Sequence, residues 1–561
     1  MRIVVRPYSE SDRTALVGAG VHPLLARLYA ARRIRSASEL ELDAARLLRP
    51  DALLNATRAA QLLADAIGQR KKILIVADYD ADGATACAVG VRALRQFGAT
   101  VDYLVPDRFK LGYGLSPELV DLAHARSPDW IVTVDNGIAS IEGVARAKQL
   151  GIATLITDHH LPGDALPEAD CIVNPNQPGC AFPSKTIAGV GVMFYVMLAL
   201  RAELRRRGSF AGAVEPNLGA LTDLVALGTV ADVVPLDSNN RILVAQGLKR
   251  IRSGRGNPGL AALLRVAGRF VSEANCFDLG FILGPRLNAA GRLADMSLGI
   301  ECLLADDEAT AANRAQELDR LNRERREIES GMLEGAVAAL DALAEPPGTA
   351  IALFDAGWHQ GVVGILAARV REKTHRPTVC FARAGNGQLR GSGRSIPGLH
   401  LRDCLDLIAK REPGLLARFG GHAQAAGLTI DESQLERFTT AFERTVGALL
   451  PEEQRLRVVE TDGALESAYH SLEVAQMLES HIWGQGFPQP LFCDTFSLES
   501  QRVVGGKHLK LQLSKDGKRI EAMRFGALEP LPATVRAAYR IAVNEFDGLK
   551  SVQLVFEHVE S

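Results

Sequence analysis

Cysteine is scarce in this chain: eight residues among 561, none in a Cys-X-X-Cys spacing. That pattern argues against zinc ribbons and disulfide frameworks and fits a reducing compartment. Long apolar runs are missing too. The longest, Ile187–Leu200, has 14 residues, whereas a membrane-spanning helix needs about 20, so it reads as a buried helix. Met1–Arg13 lacks the apolar stretch of a signal peptide. Neither charge sign dominates, since 64 Lys and Arg stand against 66 Asp and Glu for a formal net charge of −2. Bulk charge gives no hint of a nucleic-acid partner, and any basic surface must be local. There is no internal repeat and no low-complexity tract. What remains is a soluble, cytoplasmic, globular protein without a membrane partner. At this length a single core is excluded, and three or four domains are expected.

Four short apolar runs in the first third each lead into acidic or histidine residues. Lys72–Ala77 enters Asp78-Tyr79-Asp80-Ala81-Asp82-Gly83, and Val101–Val105 enters Pro106-Asp107-Arg108. Ile131–Val134 enters Asp135-Asn136-Gly137, and Ile152–Thr157 enters Asp158-His159-His160. Helix-like segments such as Ala84–Phe97 and Ser140–Leu150 follow. The alternation is a βαβ pattern with buried parallel strands. Open parallel sheets bind ligands outside the carboxyl ends of their strands, so these clusters are expected to converge on one edge. The resulting cage of oxygen and imidazole donors suits two divalent cations and chemistry on phosphate.

The fold class is α/β, with further parts. Residues 1–45 form an N-terminal helical segment and 46–305 the parallel-sheet unit. A long charged helix covers 306–345 and is ended by Glu345-Pro346-Pro347-Gly348. A smaller α/β pattern covers 346–450. Five short strands in 451–561, with turns such as Gly505-Gly506, Asp516-Gly517 and Asp547-Gly548, predict an OB-like β-barrel.

The motifs differ in weight. Three carboxylates at 78, 80 and 82 repel one another unless a cation or basic group neutralises them, although a solvated acidic turn is the simpler alternative. Asp135-Asn136-Gly137 alone is an ordinary turn, and its weight lies in repeating the strand-end placement. Adjacent His159 and His160 beside an aspartate are uncommon. One imidazole can ligate a metal while the other donates a proton. Asp232, within Val230–Val234, is costly among apolar neighbours unless paired or ligating. Gly391–Ser395 is either a plain loop or a phosphate cradle with Arg394. Gly420-Gly421-His422 is either close helix packing or part of a binding domain. Arg502–Arg524 carries seven basic residues against Asp516 and Glu521, as single-strand binding by a small barrel requires, with an ordinary solvated β-surface as the alternative.

Together these motifs resemble the DHH phosphoesterase family, over nearly the whole chain from about residue 70. Asp78–Gly83, Asp135–Gly137, Asp158–His160 and Thr229–Asp232 are similar to that family's metal-binding motifs in their usual order. Gly284–Arg292 is similar to a run in its exonuclease branch, and residues 357–427 resemble the DHHA1 substrate-binding domain. Gly484-Gln485-Gly486 and the barrel after it resemble that branch's C-terminal extension. Two positions depart: Val76 replaces a histidine found in other branches, so that Asp78 substitutes as ligand, and Phe419 replaces a glycine.

The resemblance implies a DHH domain and a smaller DHHA1 domain joined by the long helix, plus the OB-like domain. It implies two Mn²⁺ ions, with Mg²⁺ as the alternative, held by Asp78, Asp80, Asp82, Asp135, His159 and Asp232. Asp135, as bridge, and His160 are the implied catalytic residues. Arg286, Asn288, Arg292, His359, Arg394, Ser395, Gly421 and His422 are implied to hold substrate, and Lys507, Lys510, Lys518 and Arg519 to bind DNA. The implied activity is 5′→3′ removal of mononucleotides from single-stranded DNA in recombination and repair. The implied actor is a monomer working with a DNA helicase and a single-strand-binding protein. Polarity comes solely from the resemblance. Two alternatives are a short-oligonucleotide or cyclic-dinucleotide phosphodiesterase and a catalytically inactive binding module of the replication-factor kind. The basic barrel argues against the first and the complete set of ligands against the second.

Overall fold

The computed structural model describes residues 2–108, 110–341, 348–546 and 548–560. By contact the chain forms two compact units, Val5–Asn322 with Thr461–Ser561, and Arg323–Glu460 with Met1–Val4. No helix among the described residues is long and apolar enough to cross a membrane.

The larger unit is built on a parallel sheet of β1 (Lys72–Ala77), β2 (Thr100–Leu104), β3 (Trp130–Val134), β4 (Ala153–Thr157) and β5 (Cys171–Val173), in the order β2-β1-β3-β4-β5. Side chains alternate between faces along a strand, and both faces of β1 are covered. Ile73, Ile75 and Ala77 join one core, and Leu74 and Val76 join another with Leu119, Val120 and Val144. Burial on both sides is why these strands read as continuous apolar runs. Their carboxyl ends are level: Ala77 pairs with Val134, Val134 with Thr157, and Thr157 with Val173. The ladder continues one residue further through Asp78 N to Val134 O, Asp135 N to Thr157 O and Asp158 N to Val173 O. Three aspartates therefore leave the sheet side by side.

Helices α1 (Ala81–Gln96), α2 (Gly189–Arg206), α3 (Thr222–Ala231), α4 (Ser238–Arg252) and α5 (Gly284–Leu293) surround that edge. Helix α2 contains the long apolar run apart from its first two residues, Ile187 and Ala188, and is buried along most of its length. The N-terminal helices Glu10–Gly18 and Pro23–Ala30 add Leu16, Leu24 and Leu28 to the same core.

Helix α6 (Glu308–Asp341) is continuous, and the division between the two units falls within it. Glu345, Pro346 and Pro347, expected to end it, lie outside the described residues, as does Asp547 of the expected 547–548 turn. The smaller unit is a mixed sheet of β6 (Ile351–Phe354), β7 (Thr378–Gly385), β8 (Gln388–Arg394), β9 (Arg418–Gly421) and β10 (Ala425–Asp431), ordered β9-β10-β8-β7-β6. Helix α7 (Val363–Thr374) packs on β7 and β8. Gly391–Arg394 is thus strand rather than loop. Gly420-Gly421 lies in a β-hairpin, where Gly421 has φ +138° and a Cβ would sit 2.4 Å from Ala425 O.

The last strands close a barrel: β11 (Phe492–Val504), β12 (His508–Lys515), β13 (Lys518–Arg524), β14 (Thr534–Phe546) and β15 (Leu549–Glu560), ordered β11-β12-β13-β15-β14. Closure removes the exposed edges that aggregate. Within the larger unit the segment before the barrel is bound to the N-terminal helices. Arg32 makes a buried two-point ion pair with Asp462 (2.9 and 3.0 Å), and Tyr29, Trp483 and Phe487 stack on one another.

Candidate metal centre

Asp78, Asp80, Asp82, Asp135, His159, His160 and Asp232 meet at the carboxyl edge of the sheet. Their ligand atoms form three overlapping groups: Asp78, Asp80 and Asp135; Asp82, His159 and Asp232; and Asp135, His159 and His160. Within each group the atoms lie within 4.8 Å of one another. His159 Nε2 is 3.1 Å from Asp135 Oδ1, 3.5 Å from Asp232 Oδ2 and 3.9 Å from Asp82 Oδ2. Asp135 belongs to two of the groups and sits between them.

Local backbone chemistry aims each side chain. Asp80 caps α1, its Oδ1 accepting from the Asp82 and Gly83 N–H groups at 2.9 and 3.0 Å. Gly83 is obligatory, because a Cβ there would lie 2.5 Å from Asp78 O. Asp135 adopts φ +62°, a left-handed conformation that Asp tolerates better than most residues. The carboxylate of Asp82 accepts the first two N–H groups of α2, from Gly189 at 2.6 Å and Val190 at 2.9 Å. Asp232 ends α3 and is only partly buried.

Asp158 faces inward rather than into the donor cage. It accepts the Ile138, His159 and His160 N–H groups and holds His160 Nδ1 at 2.8 Å. Burial works against the charged forms of this pair, yet their mutual attraction wins. Asp158 is held below the ordinary carboxylate range, and His160 is pushed up to about 9.

The cluster is electrostatically unfavourable without cations. Burial first, and the neighbouring carboxylates second, raise Asp78, Asp135 and Asp232 well above their usual values and Asp82 to about 7. Asp78 Oδ1 and Asp135 Oδ1 are buried and accept no hydrogen bond from the described residues. Buried carboxylates in such a state are ordinarily paired or coordinated. Hard oxygen donors with an imidazole match Mn²⁺ or Mg²⁺, so the residues present fit two such ions.

The expected substrate-binding residues are distributed more widely. In the larger unit, Arg286 Nε and one terminal nitrogen both contact Asp319 Oδ1, at 3.0 and 2.9 Å, and Asn288 Oδ1 accepts the Ala81 N–H at 2.8 Å. These two hold the fold around the cage. Arg292 follows Gly291, whose missing Cβ leaves room for Tyr79 O. In the smaller unit, Arg394 extends along Ser392 Oγ (3.1 Å) and Gly393 O (2.8 Å), beside Gly364 at the start of α7. His359 Nδ1 accepts the Gly361 N–H, His422 N bonds Ala425 O, and the buried Ser395 hydroxyl donates to Leu399 O. On the barrel, Lys510 pairs with Glu521, Arg519 with Glu499, and Lys518 Nζ reaches Ser467 O. Lys507 stands on the β11–β12 turn, and neither it, Arg502 nor Arg524 has a carboxylate partner among the described residues.

Sequence reasoning named Pro106-Asp107-Arg108 among the four strand-end clusters without giving it a role, and Asp107 is in none of the three donor groups found among the described residues; it missed Tyr113. Tyr113 OH donates within reach of Asp135 O (3.1 Å) and lies 3.0 Å from His160 Nδ1, and Arg108 covers the Tyr79 ring at 4.6 Å. The Gly112-Tyr113-Gly114 spacing was the available signal for Tyr113.

The chain matches three family descriptions: DHH family, N-terminal domain over residues 72–229, DHHA1 domain over 347–448, and RecJ OB domain over 461–558. A protein of Escherichia coli K12 named single-stranded-DNA-specific exonuclease RecJ is 49% identical over 98% of both chains. One of the same name from Dickeya dadantii is 51% identical, over 99% of this chain and 98% of that one. Among solved structures, RecJ of Thermus thermophilus in complex with Mn²⁺ superposes with a TM-score of 0.83 at 31% identity. That match covers 100% of this chain and 79% of the other.

Proposed function

The chain belongs to the RecJ family of DHH proteins, and from that premise we propose that it is a metal-dependent exonuclease acting on single-stranded DNA. It is a hydrolase of phosphodiester bonds that works from the 5′ end and releases 5′-mononucleotides. The observation that carries this reading is the convergence of Asp78, Asp80, Asp82, Asp135, His159 and Asp232 on one sheet edge. Mn²⁺ is the fitting ion and Mg²⁺ the alternative, because carboxylates and an imidazole share the site. Bound there, two ions supply Lewis-acid stabilisation of phosphate charge and a nucleophilic water.

The chain's own residues do the rest. Asp135 belongs both to the group with Asp78 and Asp80 and to the group with His159 and His160, and so ties the two together. His160, kept protonated by Asp158 and touched by Tyr113 OH, is placed to donate to a phosphoryl oxygen or to the departing 3′-oxygen. Arg292 on the larger unit and Arg394, His422 and His359 on the smaller one supply donors for backbone phosphates. Arg502, Lys507 and Arg524 lie at the β11–β12 end of the barrel and give that end positive charge for a strand. A DNA helicase and a single-strand-binding protein are the proposed partners in recombination and repair, within the cytoplasm.

Digestion of 5′- and 3′-labelled single strands and blunt duplexes, with Mn²⁺, Mg²⁺ or chelator, tests the reading. Early release of the 5′ label as mononucleotide from single strands, abolished by chelator, is the expected result. Equal attack on duplex, or early release of the 3′ label, would overturn it.

A further inference from the structure

Helix α2 begins against two of the acidic side chains. Its first two N–H groups are donated to the fully buried carboxylate of Asp82, and a Cβ on Gly189 would lie 2.6 Å from Asp135 Oδ1. Nothing in α2 caps its own first turn, since Ala188 is the N-cap residue. Besides the Asp82 carboxylate and the packing of α2, the segment before it, 184–188, fixes where that turn begins.

This segment is tied to the loop after Asp232. Ser184 Oγ donates to Asp237 Oδ2 at 2.6 Å, and Thr186 Oγ1 lies 3.1 Å from both Asp237 Oδ2 and Pro235 O. Asn240, wholly buried on α4, donates through Nδ2 to Thr186 O and to Pro235 O, each at 2.9 Å. Asp237 in turn caps α4, its Oδ1 accepting the Asn240 N–H at 2.9 Å. Between Asp232 and Pro235, Val233 takes φ +61°, a strained conformation for a β-branched residue. Such a turn persists only where its surroundings hold it.

We propose that Ser184, Thr186, Asp237 and Asn240 form a clamp that sets the metal affinity of one half of the centre, the half made by Asp82, His159 and Asp232. The proposal rests on the metal-dependent reading above. The clamp joins the two segments that place Asp82 and Asp232. Among the described residues it makes no direct hydrogen bond to any of the six acidic and histidine ligands, and it reaches Asp82 through the α2 N–H groups and Asp232 through the loop that follows it. These are positioning residues, acting through the backbone of α2 and of the 232–237 loop. Residues of this kind, which hold ligands without touching the metal, commonly change affinity by about ten- to a hundredfold when removed.

The test uses Thr186→Val, close in shape but without the hydroxyl, with Ser184→Ala as an independent variant and Thr186→Ser as the conservative replacement. Mn²⁺ binding to the full-length protein is measured calorimetrically without DNA, and hydrolysis of a labelled single strand is followed against Mn²⁺ concentration. The expected result is one of two sites weakened about tenfold or more and the other unchanged. Hydrolysis is expected to fall at low Mn²⁺ and recover at saturation, with Thr186→Ser behaving as wild type. Unchanged affinities, equal weakening of both sites, or a lower melting temperature without a change in metal binding would overturn the clamp. Should the wild type itself bind no Mn²⁺, the functional reading fails rather than the clamp alone.

Discussion

Asp135 combines a left-handed backbone, full burial and crowding by other carboxylates. Each is a cost to the metal-free fold, and a left-handed non-glycine residue alone costs about 1 kcal/mol or more. Asp135→Ala relieves the burial and the crowding but not the left-handed strain, which Asp bears better than Ala, so it is expected to abolish hydrolysis while leaving the metal-free protein folded with a stability near that of wild type. Thermal melts with and without Mn²⁺ check this: the wild type gains stability with the ion and the variant does not. Asp158 makes the opposite kind of contribution. Replacing it by Asn keeps the size but removes the charge that holds His160 protonated. Single-turnover hydrolysis is expected to drop by about a hundredfold or more, with Mn²⁺ affinity near that of wild type. An unchanged rate would remove His160 from the proton transfer. The sequence showed Asp158-His159-His160 as one motif, but not that Asp158 turns inward. That orientation comes from the Ile138 N–H, 20 positions away, which spacing along the chain does not encode. Tyr113 was hidden for the same reason, since a lone tyrosine in a glycine-flanked loop has no periodicity to betray it.

The strands of the parallel sheet were legible because burial on both faces leaves an unbroken apolar run, and the barrel strands because turn residues separate them. The polar interior of the barrel was not legible. Asp494 accepts from Tyr539 OH at 2.6 Å and from Lys515 Nζ at 2.6 Å, while His470 Nε2 lies 3.0 Å from Tyr539 OH. No local pattern links residues so far apart. Burial first, and the Lys515 charge second, lower His470 from its usual value to about 4. The neutral ring is the form that fits, so its contribution is present above the unfolded value near 6.5 and is lost as the pH falls toward 4. Denaturant unfolding at pH 7 and pH 5 is expected to show a loss of stability on acidification that is smaller in His470→Gln. An equal loss in both proteins would place the acid sensitivity elsewhere.

At the scale of the molecule, the barrel is not a detachable appendage of the catalytic sheet. The segment leading into it supplies Asp462 to Arg32 and stacks Trp483 and Phe487 on Tyr29. Cutting the chain near residue 450 would strip a buried ion pair and an aromatic stack from the larger unit, so the role of the basic end of the barrel is better probed by substitution. Arg502→Ala, Lys507→Ala and Arg524→Ala together are expected to flatten the dependence of log affinity for single strands on log salt by about 2, at roughly 0.7 for each phosphate no longer neutralised. Filter binding at several salt concentrations measures it, and an unchanged slope would assign the barrel another task. The central claim remains the double metal centre, and Mn²⁺ titration of the full-length protein tests it most directly, read by calorimetry and by electron paramagnetic resonance. The account predicts two ions per chain whose signals are coupled through a shared carboxylate, with hydrolysis of single strands appearing only as both sites fill. One ion per chain, or hydrolysis that persists in excess chelator, would contradict it.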